Sequence, residues 1–265
     1  MIAQHPSSIL DLIVEDTRQR ILFERTRRQM PEVIEGSRVR PRRTGFPFTR
    51  ALESEGMSFI CEVKKASPSK GIIAQDFPYL EIAREYESMG ASAISVLTEP
   101  KHFLGRDSYL EEIADEVRVP VLRKDFIIDE YQIYQARELG ASAVLLITSI
   151  LGDNALQDYR VLAESLGMSA LVEAHDRDDV ERAVSSGASI IGINNRDLST
   201  FDVDIGNSLR LRDMIPDGVV CVSESGISTA QDVRRLDDAG FDAVLVGEAF
   251  MRSPDREGLL RSMRQ

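Results

Sequence analysis

Charged side chains of both signs stand inside or directly after short apolar runs of this sequence. Glu62 and Lys64 belong to "FICEVKKASPSKG", Lys124 belongs to "VPVLRKDF" and Glu173 belongs to "ALVEAH". Lysines and carboxylates that share a semi-enclosed pocket perturb each other's pKa values, and general acid–base catalysis depends on such perturbation. If the fold brings these side chains together, the residue types predict a protein that transfers protons.

Polar residues also end two later apolar runs, and three turns are rich in glycine or serine. "IGINNRD" carries Asn194, and "VCVSESG" carries Glu224. One charged residue at a strand end is usually a solvated rim residue, but the feature recurs in five runs and so indicates a common site. The turns "SPSKG", "SESGIS" and "LVGEAF" supply hydroxyls, backbone N–H groups and glycines, which suit a phosphate group. The sequence therefore favours a phosphorylated ligand.

The elements that must position these residues repeat along the chain. Eight short runs rich in Val, Ile and Leu alternate with amphipathic segments such as "YLEIAREYESMGA" and "DEYQIYQARELGA". Strands that alternate with helices pair in parallel, and eight units of about 25 residues can close into a barrel. An open doubly wound sheet is the alternative, but the Gly-x-Gly-x-x-Gly turn that would favour it is absent after the first run. We therefore predict an α/β protein with a (β/α)8 TIM barrel over residues 58–265.

The predicted strands are residues 59–63, 93–97, 119–122, 143–147, 170–172, 190–193, 219–222 and 243–246. Barrel strands point alternate side chains into the lumen and toward the helices, and active sites form at the mouth where the strands end. In the first strand the apolar side chains of Phe59, Cys61 and Val63 are then expected to face the helices. Glu62 and Lys64 are expected to face the lumen near the mouth.

Residues 1–57 differ from the repeat and are predicted to form an N-terminal helical extension that packs on the barrel. "SSILDLIVEDTRQRILFERTRRQ" predicts a helix that Ser7 or Ser8 caps, with an apolar stripe that includes Ile9 and Ile13. "GSRVRPRRTG" is predicted to be a basic loop, and "FPFTRALESEG" is predicted to be a second short helix. The arginines of the basic loop suit a solvated connector better than a binding site: Arg38, Arg40, Arg42 and Arg43.

Composition excludes several classes of protein. The net charge of −12 argues against general nucleic-acid binding, although a few lysines can still attract an anion into a cleft. Cys61 and Cys221 lie in apolar runs, which predicts reduced, buried thiols and a cytoplasmic protein. Neither a signal peptide nor a membrane-spanning run is evident. His5, His102 and His175 show no metal-ligand spacing, so we expect no metal site.

The sequence resembles the indole-3-glycerol phosphate synthase family in seven ordered segments: "EVKKASPSKG", "SAISVLTEP", "VPVLRKDFIID", "ALVEAH", "IGINNRDLSTF", "VSESGI" and "AVLVGEAFM". The N-terminal extension is similar as well. "VLRKDF" and "GINNRDL" after "EVKKASPSKG" are the specific part, because "SESGI" and "VGEA" recur among related barrels. The family closes the indole ring of tryptophan biosynthesis, converting 1-(2-carboxyphenylamino)-1-deoxyribulose 5-phosphate into indole-3-glycerol phosphate, CO2 and water. The resemblance implies neither a metal nor an organic cofactor.

The resemblance also implies a role for each candidate residue. Lys124 is the general acid for ring closure, and Glu173 is the base for a later proton removal. Lys64 pairs with the substrate carboxylate and is a second candidate acid for the dehydration, and the division of roles between the two lysines stays open. The groups that orient the lysines and the substrate hydroxyls are Glu62, Asn194 and Glu224, with Arg196 as a further candidate.

Substrate binding is divided between two groups of residues by the same resemblance. The phosphate is assigned to Ser67, Ser225, Gly226, Gly247 and the backbone N–H of Glu248. The anthranilate ring is assigned to an apolar slot formed by Phe103, Phe126 and Leu145. The loop "HFLGRDSYL" departs from the family pattern, because Arg106 and Asp107 displace Ser108 from the position next to the aromatic residue. No serine of this loop is therefore carried over.

Two other functions remain open from the sequence. Phosphoribosylanthranilate isomerase shares the phosphate turns but uses a cysteine–aspartate pair, whereas Cys61 and Cys221 lie in the middle of predicted strands. A non-catalytic barrel that binds phosphorylated ligands would be expected to lose Lys64, Lys124 and Glu173, all of which are present. We expect a monomer that binds a small phosphorylated substrate, with a partner enzyme of the tryptophan pathway not excluded.

Overall fold

The computed structural model describes residues 8–40, 45–197 and 201–265. Its strands are β1 (Ser58–Val63), β2 (Ala66–Ser67), β3 (Gly71–Ile72), β4 (Ala93–Leu97), β5 (Val121–Lys124), β6 (Ala143–Ile147), β7 (Ser169–Ala174), β8 (Ile190–Asn194), β9 (Val220–Glu224) and β10 (Ala243–Val246). Eight of them form a closed parallel barrel in the order β1-β10-β9-β8-β7-β6-β5-β4, while β2 and β3 form an antiparallel hairpin in the loop after β1. The predicted (β/α)8 barrel is confirmed.

Helices precede the barrel and connect its strands. They are α1 (Ile9–Arg27), α2 (Met30–Val39), α3 (Pro47–Leu52), α4 (Tyr79–Ser88), α5 (Asp107–Glu116), α6 (Glu130–Glu138), α7 (Asp153–Ser165), α8 (Arg177–Ser185), α9 (Gly206–Leu211), α10 (Ala230–Asp238), α11 (Glu248–Arg252) and α12 (Arg256–Met263). Gly90 and Gly140 follow α4 and α6 with φ of 90° and 91°, a left-handed backbone that glycine adopts without steric cost. Among the described residues, no helix has the length and hydropathy that a membrane span requires.

The strand predicted over residues 119–122 is displaced in the structure. Pro120 has no N–H to donate, and its carbonyl oxygen accepts the N–H of Ile94 at 3.0 Å, so the paired strand begins at Val121. It then continues to Lys124, which pairs in register with Leu97. Lys124 is therefore held within the sheet and does not belong to the loop that follows.

Side chains of β1 alternate between two apolar layers, as its sequence predicts. Phe59, Cys61 and Val63 belong to the larger cluster between the strands and the helices. Ile60 belongs to the smaller cluster inside the barrel. Glu62 is buried on that same inner face, which leaves its carboxylate at the mouth. The charges in the first strand thus line a cavity.

One predicted loop of the extension is wrong, because residues 36–39 continue helix α2. Pro31 stands in the first turn of α2, where its missing N–H costs no hydrogen bond, and Arg38 pairs with Glu35 one turn earlier. Arg40 contacts Asp115 and the carbonyl oxygen of Glu138, so it anchors the end of α2 on the barrel helices. His5, Ser7, Arg42 and Arg43 lie outside the described residues. Of the two proposed caps, Ser8 is the one in place, and its hydroxyl accepts the N–H of Asp11.

The extension contacts both ends of the barrel. Phe48 and Leu52 of α3 are fully buried in the inner cluster. Thr49 Oγ1 lies 2.7 Å from the hydroxyl of Ser169, the first residue of β7, so α3 covers the end where strands begin. Helix α1 instead places Ile13 in the inner cluster at the mouth, where Ile13 and Phe126 both line the cavity. The extension thus packs on the barrel, and the division into an extension over residues 1–57 and a barrel over residues 58–265 stays a prediction.

Candidate active site

A cavity of about 710 Å³ opens at the carboxyl ends of the barrel strands. Every candidate residue of the sequence lines it: Lys124, Glu173, Lys64, Glu62, Asn194, Glu224, Arg196, Phe103, Phe126, Leu145, Ser67, Ser225, Gly226, Gly247 and Glu248. The volume is of the size typical for small-molecule sites. The strand-end residues converge because parallel strands of a closed barrel all end at the same rim.

Lys124 occupies the centre of the charged part of this cavity. Its Nζ donates to Glu173 Oε2 at 3.1 Å and to Glu224 Oε2 at 3.0 Å. The two carboxylates come from β7 and β9, which are not neighbours of β5 in the barrel. The three side chains therefore meet across the lumen. Gly192 of β8 leaves room for this arrangement, since a Cβ there would overlap the Glu224 carboxylate.

Burial and charge set different protonation states for these three groups. Burial lowers the pKa of Lys124, but Glu173 and Glu224 outweigh it, so that pKa is raised and the ammonium stays charged. Burial raises the pKa of Glu173, but Lys124 outweighs it, so that pKa is lowered and the carboxylate stays ionised. Burial raises the pKa of Glu224 to about 8, because Lys124 compensates only in part and Glu173 repels a second negative charge. One site thus holds a proton donor beside an ionised carboxylate.

A second pair of opposite charges comes from β1 and the residue that follows it. Lys64 Nζ lies 2.5 Å from Glu62 Oε2, and the Glu62 side chain is 4% exposed. Gly247, directly after β10, makes room for this pair, because a Cβ at that position would overlap the Glu62 carboxylate and lie 3.0 Å from Lys64 Nζ. Lys64 is therefore held at the rim with its ammonium directed into the cavity.

Asn194 connects the charged centre to the loop after β8. Its side chain hydrogen-bonds Glu173, and its Oδ1 accepts the N–H of Arg196 at 3.0 Å. Its backbone carbonyl oxygen lies 3.0 Å from His175 Nδ1 and accepts from Asn207 Nδ2 at 3.3 Å. The guanidinium of Arg196 donates to the carbonyl oxygen of Phe201 at 3.1 Å. The fold fixes Asn194 from several sides, and this fixes one face of Glu173.

The turns predicted to bind phosphate lie together on one side of the cavity. Ser225 and Gly226 have φ of 68° and 83°, which makes the turn after β9 tight and exposes its backbone to the cavity. Lys70 and Arg252 also line this side, with Lys70 Nζ at 3.8 Å and Arg252 Nε at 3.0 Å from Glu248 Oε1. Reasoning from the sequence missed both cations, although Lys70 lies within the "SPSKG" turn.

Apolar side chains form the opposite side of the cavity. The rings of Phe103 and Phe126 lie 6.0 Å apart with an interplanar angle of 39°, and Leu145 is buried in the inner cluster that both rings contact. Ile9, Leu10 and Ile13 of α1 also line this side. Reasoning from the sequence placed Ile9 and Ile13 on an apolar stripe but did not expect that stripe to reach the mouth.

The loop that departs from the family pattern is ordered around one buried carboxylate. Glu99 accepts the backbone N–H groups of Lys101 at 2.9 Å, His102 at 2.7 Å and Phe103 at 2.9 Å. Leu104 follows with φ of 54°, a conformation that few non-glycine residues adopt. This turn directs the Phe103 ring toward the cavity without a serine beside it.

Neither cysteine nor a metal-ligand group belongs to the cavity as the structure describes it. Cys61 and Cys221 are unpaired and buried, and they do not line the cavity. Burial raises the pKa of both thiols, that of Cys221 to about 11. Across residues 8–40, 45–197 and 201–265, no group of three His, Cys, Asp or Glu residues is placed to hold a metal ion.

Comparison with known proteins gives one consistent result. The family model for indole-3-glycerol phosphate synthase matches residues 10–263. The indole-3-glycerol phosphate synthase of Ruminiclostridium cellulolyticum is 46% identical over 264 residues, covering 100% of this chain and 99% of that protein. The enzyme of the same name from Lacticaseibacillus paracasei is 50% identical over 257 residues, covering 97% of this chain and 99% of that protein.

Two solved structures resemble this chain in fold alone. Thiamine phosphate pyrophosphorylase from Pyrococcus furiosus superposes with a TM-score of 0.59 at 16% identity, over 82% of this chain and 95% of that one. 3-Hexulose-6-phosphate synthase from Salmonella typhimurium superposes with a TM-score of 0.61 at 17% identity, over 79% of this chain and 97% of that one.

Proposed function

The chain belongs to the indole-3-glycerol phosphate synthase family, and we propose from this premise that it is a carboxy-lyase of tryptophan biosynthesis. It converts 1-(2-carboxyphenylamino)-1-deoxyribulose 5-phosphate into indole-3-glycerol phosphate, CO2 and water. The observation that carries the proposal is the position of Lys124, between two buried carboxylates and between an apolar slot and the predicted phosphate turns. A substrate with an aromatic ring at one end and a phosphate at the other fits a cavity with an apolar slot on one side and the predicted phosphate turns on the other.

Ring closure needs an acid at the ketone of the substrate. The aromatic carbon that bears the carboxylate attacks the ketone carbon, and the carbonyl oxygen gains negative charge as the new bond forms. The charged Lys124 ammonium gives its proton to that oxygen. The carboxylate, paired with Lys64 at the rim, then leaves as CO2, and its bonding electrons restore the aromatic ring.

Dehydration needs an acid and a base at neighbouring atoms. The hydroxyl on the former ketone carbon leaves as water after protonation, and a proton is removed from the adjoining carbon. Glu173 is the proposed base, since its carboxylate is ionised at neutral pH. Lys64 is the second candidate acid beside Lys124. Glu62, Asn194 and Glu224 orient these groups and the hydroxyls, with Arg196 as a further contact.

The ends of the substrate are held by separate groups of residues in this proposal. The phosphate is held by Ser67, Ser225, Gly226, Gly247 and the backbone N–H of Glu248. The anthranilate ring lies in the slot of Phe103, Phe126 and Leu145. The protein acts as a cytoplasmic monomer without a metal or organic cofactor. The isomerase alternative loses its support, because Cys61 and Cys221 lie outside the cavity lining with thiol pKa values that burial raises.

Indole fluorescence during incubation with the anthranilate-derived ribulose phosphate tests the proposal. The wild-type protein is expected to produce the signal, and to do so in the presence of a chelator. Lys124→Met and Glu173→Gln are expected to lower the turnover rate by about 10²- to 10⁴-fold, the usual contribution of an acid or a base. Lys101→Met is the matched control, since that lysine is 63% exposed and pairs with Asp16 outside the cavity. Near-wild-type turnover in Lys124→Met would refute the role of the lysine, and a requirement for added metal would refute the mechanism.

A further inference from the structure

A buried ion pair connects helix α1 to Asp125, the residue that directly follows β5 and Lys124. Arg20 Nη2 lies 2.9 Å from Asp125 Oδ1 and 3.0 Å from Asp125 Oδ2. The Asp125 side chain is 0% exposed, and Arg20 is 17% exposed. Asp125 stands between Lys124 and Phe126 in sequence, and both of those residues line the cavity. An arginine of the N-terminal extension thus holds the residue between the proposed acid and the proposed ring slot.

The Asp125 carboxylate accepts hydrogen bonds from several segments of the chain. Its Oδ1 accepts the N–H of Phe126 at 2.9 Å, and its Oδ2 accepts from Thr98 Oγ1 at 2.8 Å and from Arg123 Nη2 at 3.1 Å. Burial raises the pKa of Asp125, but Arg20 and Arg123 outweigh it, so that pKa is lowered and the carboxylate stays ionised. One buried carboxylate therefore connects helix α1 to the ends of β4 and β5.

The same helix lines the cavity and contacts a second loop at its mouth. Ile9 and Ile13 of α1 line the cavity. One further turn along, Asp16 contacts His102 Nε2 and Lys101 Nζ, each at 2.7 Å, in the loop that carries Phe103. Residues spaced by three or four positions share one side of a helix. Arg20 is the next residue in this series. Its contact with Asp125 therefore lies on the side of α1 that faces the mouth.

We propose that Arg20 is a positioning residue for the reaction: by holding Asp125, it fixes the backbone from which Lys124 and Phe126 reach the substrate. This inference rests on the proposed function, because it assigns Lys124 to the chemical step. A displacement of about 1 Å at a reacting group can lower a rate by about 100-fold. Arg20→Met leaves Asp125 with Arg123 and Thr98 as partners, so the barrel still folds while one support of this backbone is lost.

The kinetic test compares four proteins: wild type, Arg20→Met, Arg20→Lys and Arg18→Met. Arg20→Met should lower kcat by about 10- to 100-fold and change KM less than kcat, because the acid acts in the chemical step. Arg20→Lys should recover most of kcat, since a single nitrogen of Arg20 contacts both oxygens of Asp125 and an ammonium can replace it. Arg18→Met is the control, because Arg18 is 55% exposed on the same helix and pairs with Glu15.

Hydrogen–deuterium exchange without substrate gives a readout that does not depend on activity. Arg20→Met should speed exchange in the segment of residues 124–126, and Arg18→Met should not. If the methionine variant does not fold, Arg20→Gln provides the same comparison. An inactive wild type would refute the proposed function, while exchange would still test the link between Arg20 and this segment. Unchanged kcat in Arg20→Met, or equal losses in Arg20→Met and Arg18→Met, would overturn the inference.

Discussion

Replacement of Lys124 by methionine tests whether Lys124, Glu173 and Glu224 share one buried site. Lys124 Nζ lies 3.1 Å from Glu173 Oε2 and 3.0 Å from Glu224 Oε2. At an effective dielectric constant of about 20, the contact of the Lys124 ammonium with the ionised Glu173 carboxylate corresponds to about 5 kcal/mol of Coulomb attraction. Methionine retains much of the side-chain volume but not the charge, so the variant buries two carboxyl groups without their cation. The folded variant can relieve this only by binding protons.

The sign of the pH dependence follows from Glu173. In the wild-type protein Lys124 outweighs burial and lowers the Glu173 pKa. Without Lys124, burial raises the Glu173 pKa above its value in the unfolded chain. A group with a raised folded-state pKa retains its stability contribution below the unfolded pKa and loses it as the pH rises toward the folded pKa. The variant should therefore be destabilised more strongly at neutral pH than at acidic pH.

The magnitude follows from the number of protons bound. Glu224 has a pKa of about 8 in the wild-type protein, and loss of Lys124, which lowers that pKa, leaves Glu224 protonated below this pH in the variant as well. The Glu224 proton therefore contributes equally to the pH dependence of both proteins. One additional proton on Glu173 changes the free energy of unfolding by about 1.4 kcal/mol per pH unit. Between about pH 5 and about pH 7, Lys124→Met should thus lose about 2.7 kcal/mol more stability than the wild-type protein loses.

Urea unfolding of wild type, Lys124→Met and the double variant Lys124→Met/Glu173→Gln, followed by circular dichroism at several pH values, measures this difference. The double variant should lose the additional slope, because it lacks the carboxyl group that binds the extra proton. Lys101→Met should follow the wild-type slope. Parallel stability curves for wild type and Lys124→Met would refute the reasoning, since the two side chains would then not interact in the folded protein.

Three other changes have defined outcomes. Gly247→Ala should lower kcat/KM by about tenfold or more through displacement of Glu62, whereas Gly152→Ala, which meets open space, should not; equal rates would contradict the packing at the rim. Arg123→Met should lower the free energy of unfolding by about 1–3 kcal/mol, because Asp125 keeps Arg20 as a partner but loses a buried hydrogen bond; urea unfolding measures this, and an unchanged free energy of unfolding would be inconsistent with the buried pair. Both cysteines should resist a thiol reagent at about pH 8 until the protein is unfolded, and rapid labelling of the folded protein would contradict their burial.

The repeat pattern predicted the barrel because its signal is local. Apolar runs of period two and amphipathic segments of period 3.6 are visible in windows of ten to twenty residues, and parallel closure follows from their alternation. The convergence of Glu62, Lys124 and Glu173 on one rim needed no further information, because all strands of a parallel barrel end on the same side. The roles assigned to these residues stay predictions.

Local signals failed where neighbouring elements decide the conformation. The "GSRVRPRRTG" segment has glycine, proline and four arginines, which predicted a loop, yet residues 36–39 are helical. Helix α2 packs on α6, and Arg28 pairs with Glu138 of α6, with Arg28 Nη1 at 2.6 Å from Glu138 Oε2. Tertiary packing of this kind overrides a weak propensity.

The sequence alone determined which side chains point toward the mouth, since alternation along each strand is a property of the backbone. The tertiary structure alone decided which of them touch across the lumen and which residues of the extension join them. Lys124 meets Glu224, and Arg20 meets Asp125, over separations of 100 and 105 residues. Such contacts depend on the diameter of the barrel and on the path of α1 across its mouth. Neither feature produces a periodic pattern of residues in the sequence.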